Sequence, residues 1–293
     1  MYETATIEIT TRIGCKNNCI YCPQNKLIEK YTQKSNIIDM SFDTFKTCVD
    51  KIPRRVRIDF SGMAEPWLNP DCTKMLLYAN KKRFKIQVYT TCVGMTEKDL
   101  DLIKDISFDL FEVHLPDENR WIKIDINKAY LRLISDLQEK NIKNLRFMTI
   151  GKVREEVKKI IKRDIREDLP HSRGGNIRDV EIISPPPRKE GFITCGRFGY
   201  RLNNNVLLPN GDVLLCCMDY GMQHILGNIL TSDYRSLFKN SEFYKLLKGM
   251  NNDKMDILCR YCESAKKVDT PYMARKGLIC RINASLKKFL NIL

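Results

Sequence analysis

Apolar and polar positions alternate in blocks along the first two thirds of the chain. The stretches 5–13, 56–60, 84–90, 110–115, 145–150 and 180–183 are short, apolar and rich in β-branched and aromatic residues, which predicts strands. Between them run helical patterns: Ser41 opens one reaching Lys51, Asn69-Pro70-Asp71 starts a second, Thr96 with Asp99 caps a third, and Asn127 starts a fourth ending near Glu139. A fifth, from Val153 to about Asp168, is heavily charged and predicts a surface helix. Six strand–helix units in a row predict a parallel sheet curled into a partial (β/α)6 barrel over residues 1–184.

Pro185-Pro186-Pro187 ends the series, because consecutive prolines neither extend a helix nor complete a central strand. Residues 185–293 form the second predicted domain. In it, 200–208 and 213–216 flank Pro209-Asn210-Gly211-Asp212, and Asn-Gly between apolar runs predicts a hairpin. A helix is expected over 234–249 and another, amphipathic and basic, over 277–293. The latter offers either packing onto the domain or peripheral contact with a membrane surface.

The 293 residues are 43% hydrophobic and 29% charged, as in an ordinary globular protein, and no apolar run has the length of a membrane span. The start, Tyr2-Glu3-Thr4, has none of the character of a secretory signal, so a reducing cytoplasm is the expected setting for the twelve cysteines. The net charge of +14 is spread along the chain without the aromatic interleaving of a base-stacking surface. Nucleic acid is therefore not the expected partner, whereas an anionic small molecule is compatible with the charge.

The chemistry lies in the cysteines. Cys15, Cys19 and Cys22 are separated by gaps of three and two residues, so one loop can place thiolates on three irons of a four-iron cluster and leave the fourth iron open. Zinc is the rival, though it asks for a fourth ligand. Cys195, Cys216, Cys259 and Cys262 make a second set, for which a fully ligated cluster and a structural zinc are both open readings. Cys217 beside Cys216 leaves open which of the two belongs to it. Cys48, Cys72, Cys92, Cys217 and Cys280 remain outside both sets and read mostly as small buried hydrophobes.

The Cys15–Cys19–Cys22 spacing resembles the signature of the radical S-adenosylmethionine superfamily. The resemblance implies two 4Fe–4S clusters, one of which binds S-adenosylmethionine at its open iron, together with a flavodoxin- or ferredoxin-type electron donor. The second set resembles the auxiliary-cluster domains called SPASM and, with four ligands, the shorter twitch form, a β-hairpin plus helix. Ser61-Gly62-Met63-Ala64-Glu65-Pro66 stands where the family places a glycine-rich turn. By resemblance Ser61 and Gly62 approach the cofactor and Glu65 engages its amine, although the usual second glycine is replaced. Tyr21 takes the place of an aromatic contact to adenine, and Thr90 and Thr91 offer hydroxyls to the ribose or the substrate.

Four further residues are candidates for the reaction itself. His114 ends the fourth strand, and Arg173 lies in Ser172-Arg173-Gly174-Gly175-Asn176, which resembles a loop of SPASM enzymes. Cys217 and Cys280 are candidate hydrogen-atom donors. The layout is similar to aminocyclitol dehydrogenases and related sugar-modifying enzymes. That implies abstraction of a hydrogen atom from an alcohol carbon by a 5′-deoxyadenosyl radical and passage of an electron to the auxiliary cluster, giving a ketone. Epimerisation of a sugar with a cysteine donor, and peptide modification, are the alternatives.

Overall fold

The computed structural model describes residues 5–271. The first strand, β1 (Thr6–Ile9), is followed by α1 (Gln24–Thr32) and α2 (Phe42–Asp50). Then come β2 (Arg57–Phe60), α3 (Cys72–Lys81), β3 (Ile86–Thr90), α4 (Glu97–Ile103), β4 (Leu110–His114), α5 (Lys128–Glu139), β5 (Leu145–Ile150), α6 (Glu155–Lys158) and β6 (Ile165–Asp168). Strands β1 to β6 pair in sequence order and all in parallel. Helix starts follow local chemistry. Ser41 accepts from Thr44 N, Asn127 from Tyr130 N, and Thr96 and Asp99 form a reciprocal capping box.

The period of two along each strand sorts the side chains. Ile7, Ile9, Ile58, Phe60, Ile86, Val88, Phe111, Val113 and Phe147 are buried in one large core, where Phe45 and Val49 of α2, Met75 and Leu76 of α3 and Ile134 and Leu137 of α5 also pack. The intervening residues Glu8, Asp59, Gln87, Tyr89, Glu112, Met148 and Arg166 line a cavity on the other face. A strand pattern that is apolar toward the helices and polar toward the lumen thus builds a hollow sheet.

Two expectations fail at the end of the barrel. The charged stretch 153–168 forms only one helical turn, α6, and then β6; residues 180–183 form no strand. Arg166 lines the lumen and bonds Glu112 of β4 at 3.0 and 3.2 Å and Asp168 at 3.0 Å, while Glu167 is exposed, so a polar sequence makes an edge strand with one face paired across the sheet and the other in solvent. Ile183 is buried without joining a ladder. The Ser172–Asn176 loop therefore follows the sixth strand.

Beyond the prolines come β7 (Ile193–Cys195), β8 (Asn204–Leu207), β9 (Asp212–Leu214), β10 (Ile225–Asn228), α7 (Ser241–Met250) and β11 (Ala265–Lys267). The expected hairpin is β8–β9, with Gly211 at φ +86°. The chain also returns to the barrel: β8 pairs in parallel with β1, giving the order β10-β9-β8-β1-β2-β3-β4-β5-β6. The helix expected from residue 234 divides into a 3-10 turn, Tyr234–Phe238, and α7, capped by Asn240. Strands β7 and β11 form a separate antiparallel pair. The amphipathic helix over 277–293 and Cys280 lie outside the described residues.

Candidate active site

The cavity enclosed by the barrel has a volume of about 1060 Å³. Cys15, Cys19 and Cys22 line it from the loop between β1 and α1. Cys22 N bonds to Cys19 O at 3.0 Å, Lys123 N to Asn17 O at 2.8 Å, and Ile20 N to Trp121 O at 2.9 Å, so the β4–α5 connection clamps the loop from outside. Burial pushes the Cys15 thiol up to about 11 and the Cys19 thiol higher still, with the neighbouring cysteines adding to both. Such thiols give up their protons only to a strong local positive charge, which an iron cluster supplies. Among the described residues no three cysteine, histidine or acidic side chains close on one point as a single metal ion requires. Ligands to separate irons of a cluster need not do so, and the all-sulfur donor set fits one.

The Ser61–Glu65 turn faces these cysteines. Gly62 has φ +52°, and a Cβ there would lie 2.4 Å from Thr10 Oγ1 and 2.7 Å from Ile9 O, so the turn presses on β1 as closely as backbone permits. Glu65 is 4% exposed. Its carboxylate accepts from Thr90 Oγ1 (2.6 Å), Thr91 N (2.6 Å), Thr91 Oγ1 (2.8 Å) and Trp67 N (3.3 Å). The structure therefore brings together three predicted residues, Glu65, Thr90 and Thr91, and the hydroxyls expected to face the ribose or the substrate donate to the carboxylate instead. Ser61 Oγ donates to Glu8 at 3.2 Å.

Tyr21 and His114 are also neighbours. Their rings stack with centroids 5.9 Å apart, and Tyr21 Oη lies 3.2 Å from His114 Nε2. Burial, then the positive charges of Arg173 and Arg166, push the His114 imidazole down to about 4, so the ring is neutral and shares a hydrogen bond with the phenol. Arg173 enters the same cavity in a left-handed conformation, φ +53°, with Nε 3.5 Å from Tyr21 O. Its loop is held by Glu263, which accepts from Ser172 N, Ser172 Oγ and Gly174 N, and by Asn176, which donates to Arg173 O and Met218 O.

The second cysteine set surrounds a separate apolar pocket of about 40 Å³. Cys195, Cys216, Cys259 and Cys262 line it together with Phe198, Leu202, Leu215, Met218 and Leu258. β7 and β11 bring Cys195 opposite Ala265, three residues past Cys262, while the turn Leu258–Tyr261 carries Cys259. Cys217 points the other way. It lines the large cavity, hydrogen-bonded to Glu8. The two pockets share Phe198 and Asn204 as walls.

Sequence reasoning did not single out the lumen charges. Arg57 grips Asp59 at 2.7 and 2.9 Å, and Glu8, pushed up chiefly by burial and next by Asp59, accepts from Asn204 at 2.6 Å. A polar residue at every second position of an apolar strand was the available signal. Glu263 and Tyr220 carried no such signal, since their roles depend on contacts between distant segments.

Residues 9–167 match the family pattern of the Radical SAM superfamily, and residues 195–263 that of SPASM, an iron–sulfur cluster-binding domain. The two matches imply two 4Fe–4S clusters and S-adenosylmethionine. An S-adenosyl-L-methionine-dependent 2-deoxy-scyllo-inosamine dehydrogenase of Niallia circulans is 21% identical over 266 residues, covering 88% of this chain and 92% of that protein. Among solved structures, BtrN in complex with AdoMet and 2-DOIA is similar, with a TM-score of 0.58 and 18% identity over 92% of this chain and 96% of that one. Streptococcus suis SuiB bound to the precursor peptide SuiA has a TM-score of 0.58 and 13% identity, over 83% of this chain and 66% of that one. At these identities the structural likenesses establish the fold.

Proposed function

The chain belongs to the radical SAM superfamily, and from that premise we propose that it oxidises a secondary alcohol of a small polyhydroxylated ring, a sugar or an aminocyclitol, to a ketone. When bound, the clusters and S-adenosylmethionine supply a carbon radical that removes a hydrogen atom and an acceptor for one electron. The protein's own residues do the rest.

One observation carries the reading. The four-cysteine pocket and the reaction cavity share the walls Phe198 and Asn204, and adjacent residues, Cys216 and Cys217, face one each. An electron leaving a molecule in the cavity thus crosses a single layer of side chains. A cavity ringed by Glu8, Asp59, Glu112, Gln87, Tyr89 and Arg173 suits a ligand with hydroxyls on all sides. In this reading Arg173, which lines the cavity, holds the reacting oxygen. Glu8, a buried carboxylate whose proton affinity is raised, is placed to take the hydroxyl proton. With the cofactor and clusters bound, the radical they supply would take the carbon-bound hydrogen, Glu8 would take the hydroxyl proton and a cluster held by Cys195, Cys216, Cys259 and Cys262 would accept the remaining electron, so the alcohol would lose two hydrogens.

Anaerobic incubation with S-adenosylmethionine, a low-potential reductant and 2-deoxy-scyllo-inosamine or related cyclitols, deuterated at the ring carbons, tests this. Expected are a product lighter by two hydrogens and deuterium in 5′-deoxyadenosine. Cys217 in the cavity favours a second reading, epimerisation with its thiol as hydrogen donor. A product isomeric with the substrate in which one ring deuterium is replaced by hydrogen from solvent, lost in Cys217→Ala, would establish that instead.

A further inference from the structure

One five-residue loop reaches both cysteine sites. It begins at Cys216, a wall of the small pocket, and ends at Tyr220, whose Oη lies 3.3 Å from Sγ of Cys22 in the first set. The loop is rigid. Asp219 N bonds to Cys216 O at 3.0 Å, and the Asp219 carboxylate, itself fully buried, accepts from Gln223 N and His224 N at 2.8 Å each. His224 in turn receives Leu258 N, beside Cys259, at 3.2 Å and contacts Glu242 at 2.7 Å. Asn176 fixes Met218 O at 2.7 Å. Tyr220 is 3% exposed.

The direction of the Tyr220–Cys22 bond depends on what Cys22 holds. As a thiol, Cys22 donates to the phenol oxygen. Once iron replaces its proton, the sulfur can only accept, and the phenol, which keeps its own proton, becomes the donor. Gln24 Nε2, 3.4 Å from the same sulfur, is the second donor. Hydrogen bonds to ligand sulfurs are among the features that set the potential of an iron–sulfur cluster, because they stabilise the more negative, reduced form.

We propose that Tyr220 is a positioning and tuning residue for the radical-forming site: its phenol donates to the Cys22 thiolate and raises the reduction potential of the cluster held there. The inference rests on Cys22 being a cluster ligand. It ties the first site to a loop anchored at the second, so that the segment carrying Cys216 also sets how readily the other cluster accepts an electron.

The test is an EPR-monitored redox titration of the anaerobically reconstituted protein, following the signal that S-adenosylmethionine perturbs. Tyr220→Phe keeps the ring and removes the donor. Its reduction equilibrium should fall about tenfold, or about 59 mV more negative for one electron. Formation of 5′-deoxyadenosine should slow with a weak reductant and recover with a stronger one. Because Tyr220→Phe can disturb packing, a fluorotyrosine placed at position 220 serves as the second probe. It keeps the shape and donates more strongly, so the potential should move the opposite way. Potentials unchanged in both, or displaced in the same direction by both, would overturn the inference. A wild-type protein with no iron at the first site would overturn it together with the functional reading, whereas an intact cluster insensitive to position 220 would leave that reading standing.

Discussion

Glu65→Gln separates two roles that the carboxylate could fill. By family resemblance it would meet the amine of S-adenosylmethionine, yet the protein already supplies it with four donors at 2.6 to 3.3 Å. A glutamine has one acceptor oxygen. If that oxygen faces Thr91, the new amide meets Trp67 N and Thr90 Oγ1, and the latter already accepts from Cys92 N at 2.8 Å. If it faces Thr90, the amide meets Thr91 N. Either way a buried backbone N–H loses its partner, which costs about 1–3 kcal/mol, and the bonds that remain lose the strength of a charged acceptor, about 1 kcal/mol or more. Removing a buried charge offsets part of this, since burial is the leading influence on Glu65 and pushes its proton affinity up. The net expectation is a loss of about 2–4 kcal/mol, read as a lower urea midpoint of the reconstituted protein without S-adenosylmethionine. Thr91→Val, which removes one of the donors, should lose less. A Glu65→Gln protein as stable as the wild type but unable to bind S-adenosylmethionine would refute the reasoning and make Glu65 a ligand alone.

Further outcomes follow from single groups. The His114 imidazole titrates near 4 in the folded protein and near 6.5 when unfolded, so the unfolded chain binds the extra proton between those values. Its contribution is fully favourable above pH 6.5 and is lost as pH falls toward 4; His114→Gln should flatten that part of a stability–pH curve measured by urea denaturation, and an unchanged curve would contradict the assignment. Gly62→Ala combines a left-handed backbone with a Cβ 2.4 Å from Thr10 Oγ1, whereas Gly191→Ala carries a similar φ, +74°, with nothing within 4 Å. The first should cost more than the roughly 1–2 kcal/mol of strain expected for the second, and equal thermal shifts would count against close approach at Gly62.

The sequence exposed those parts that depend on local pattern. Apolar runs located five of the six barrel strands, and capping residues such as Ser41, Thr96 and Asn127 marked where helices begin. Cysteine spacing singled out Cys15, Cys19 and Cys22 and the Cys259–Cys262 pair, which are close in sequence, whereas Cys195 and Cys216 join that pair around one pocket only through the fold. What the sequence hid depends on long-range pairing. The polar run Arg166-Glu167-Asp168 gave no strand signal, and its pairing in the sheet is accompanied by an Arg166–Glu112 ion pair that reaches 54 residues back along the chain. The return of β8 to β1 could not be read from either strand alone. The same holds within the site. Glu65, Thr90 and Thr91 were visible as separate candidates, but their mutual bonding is a property of the sheet. Likewise, Cys216 and Cys217 are adjacent in sequence, and only the fold shows which faces which pocket.

The two cysteine sets should hold separate four-iron clusters on either side of a shared wall, with Cys216 and not Cys217 in the second. Iron content and EPR of anaerobically reconstituted protein test it directly. The wild type should hold about eight irons, and the Cys15, Cys19, Cys22 triple alanine variant and Cys216→Ala should each fall to about four. Only the triple variant should lose the signal that S-adenosylmethionine perturbs, and Cys217→Ala should retain all the iron. Iron lost with Cys217 and kept with Cys216, or zinc in place of iron at either set, would contradict it.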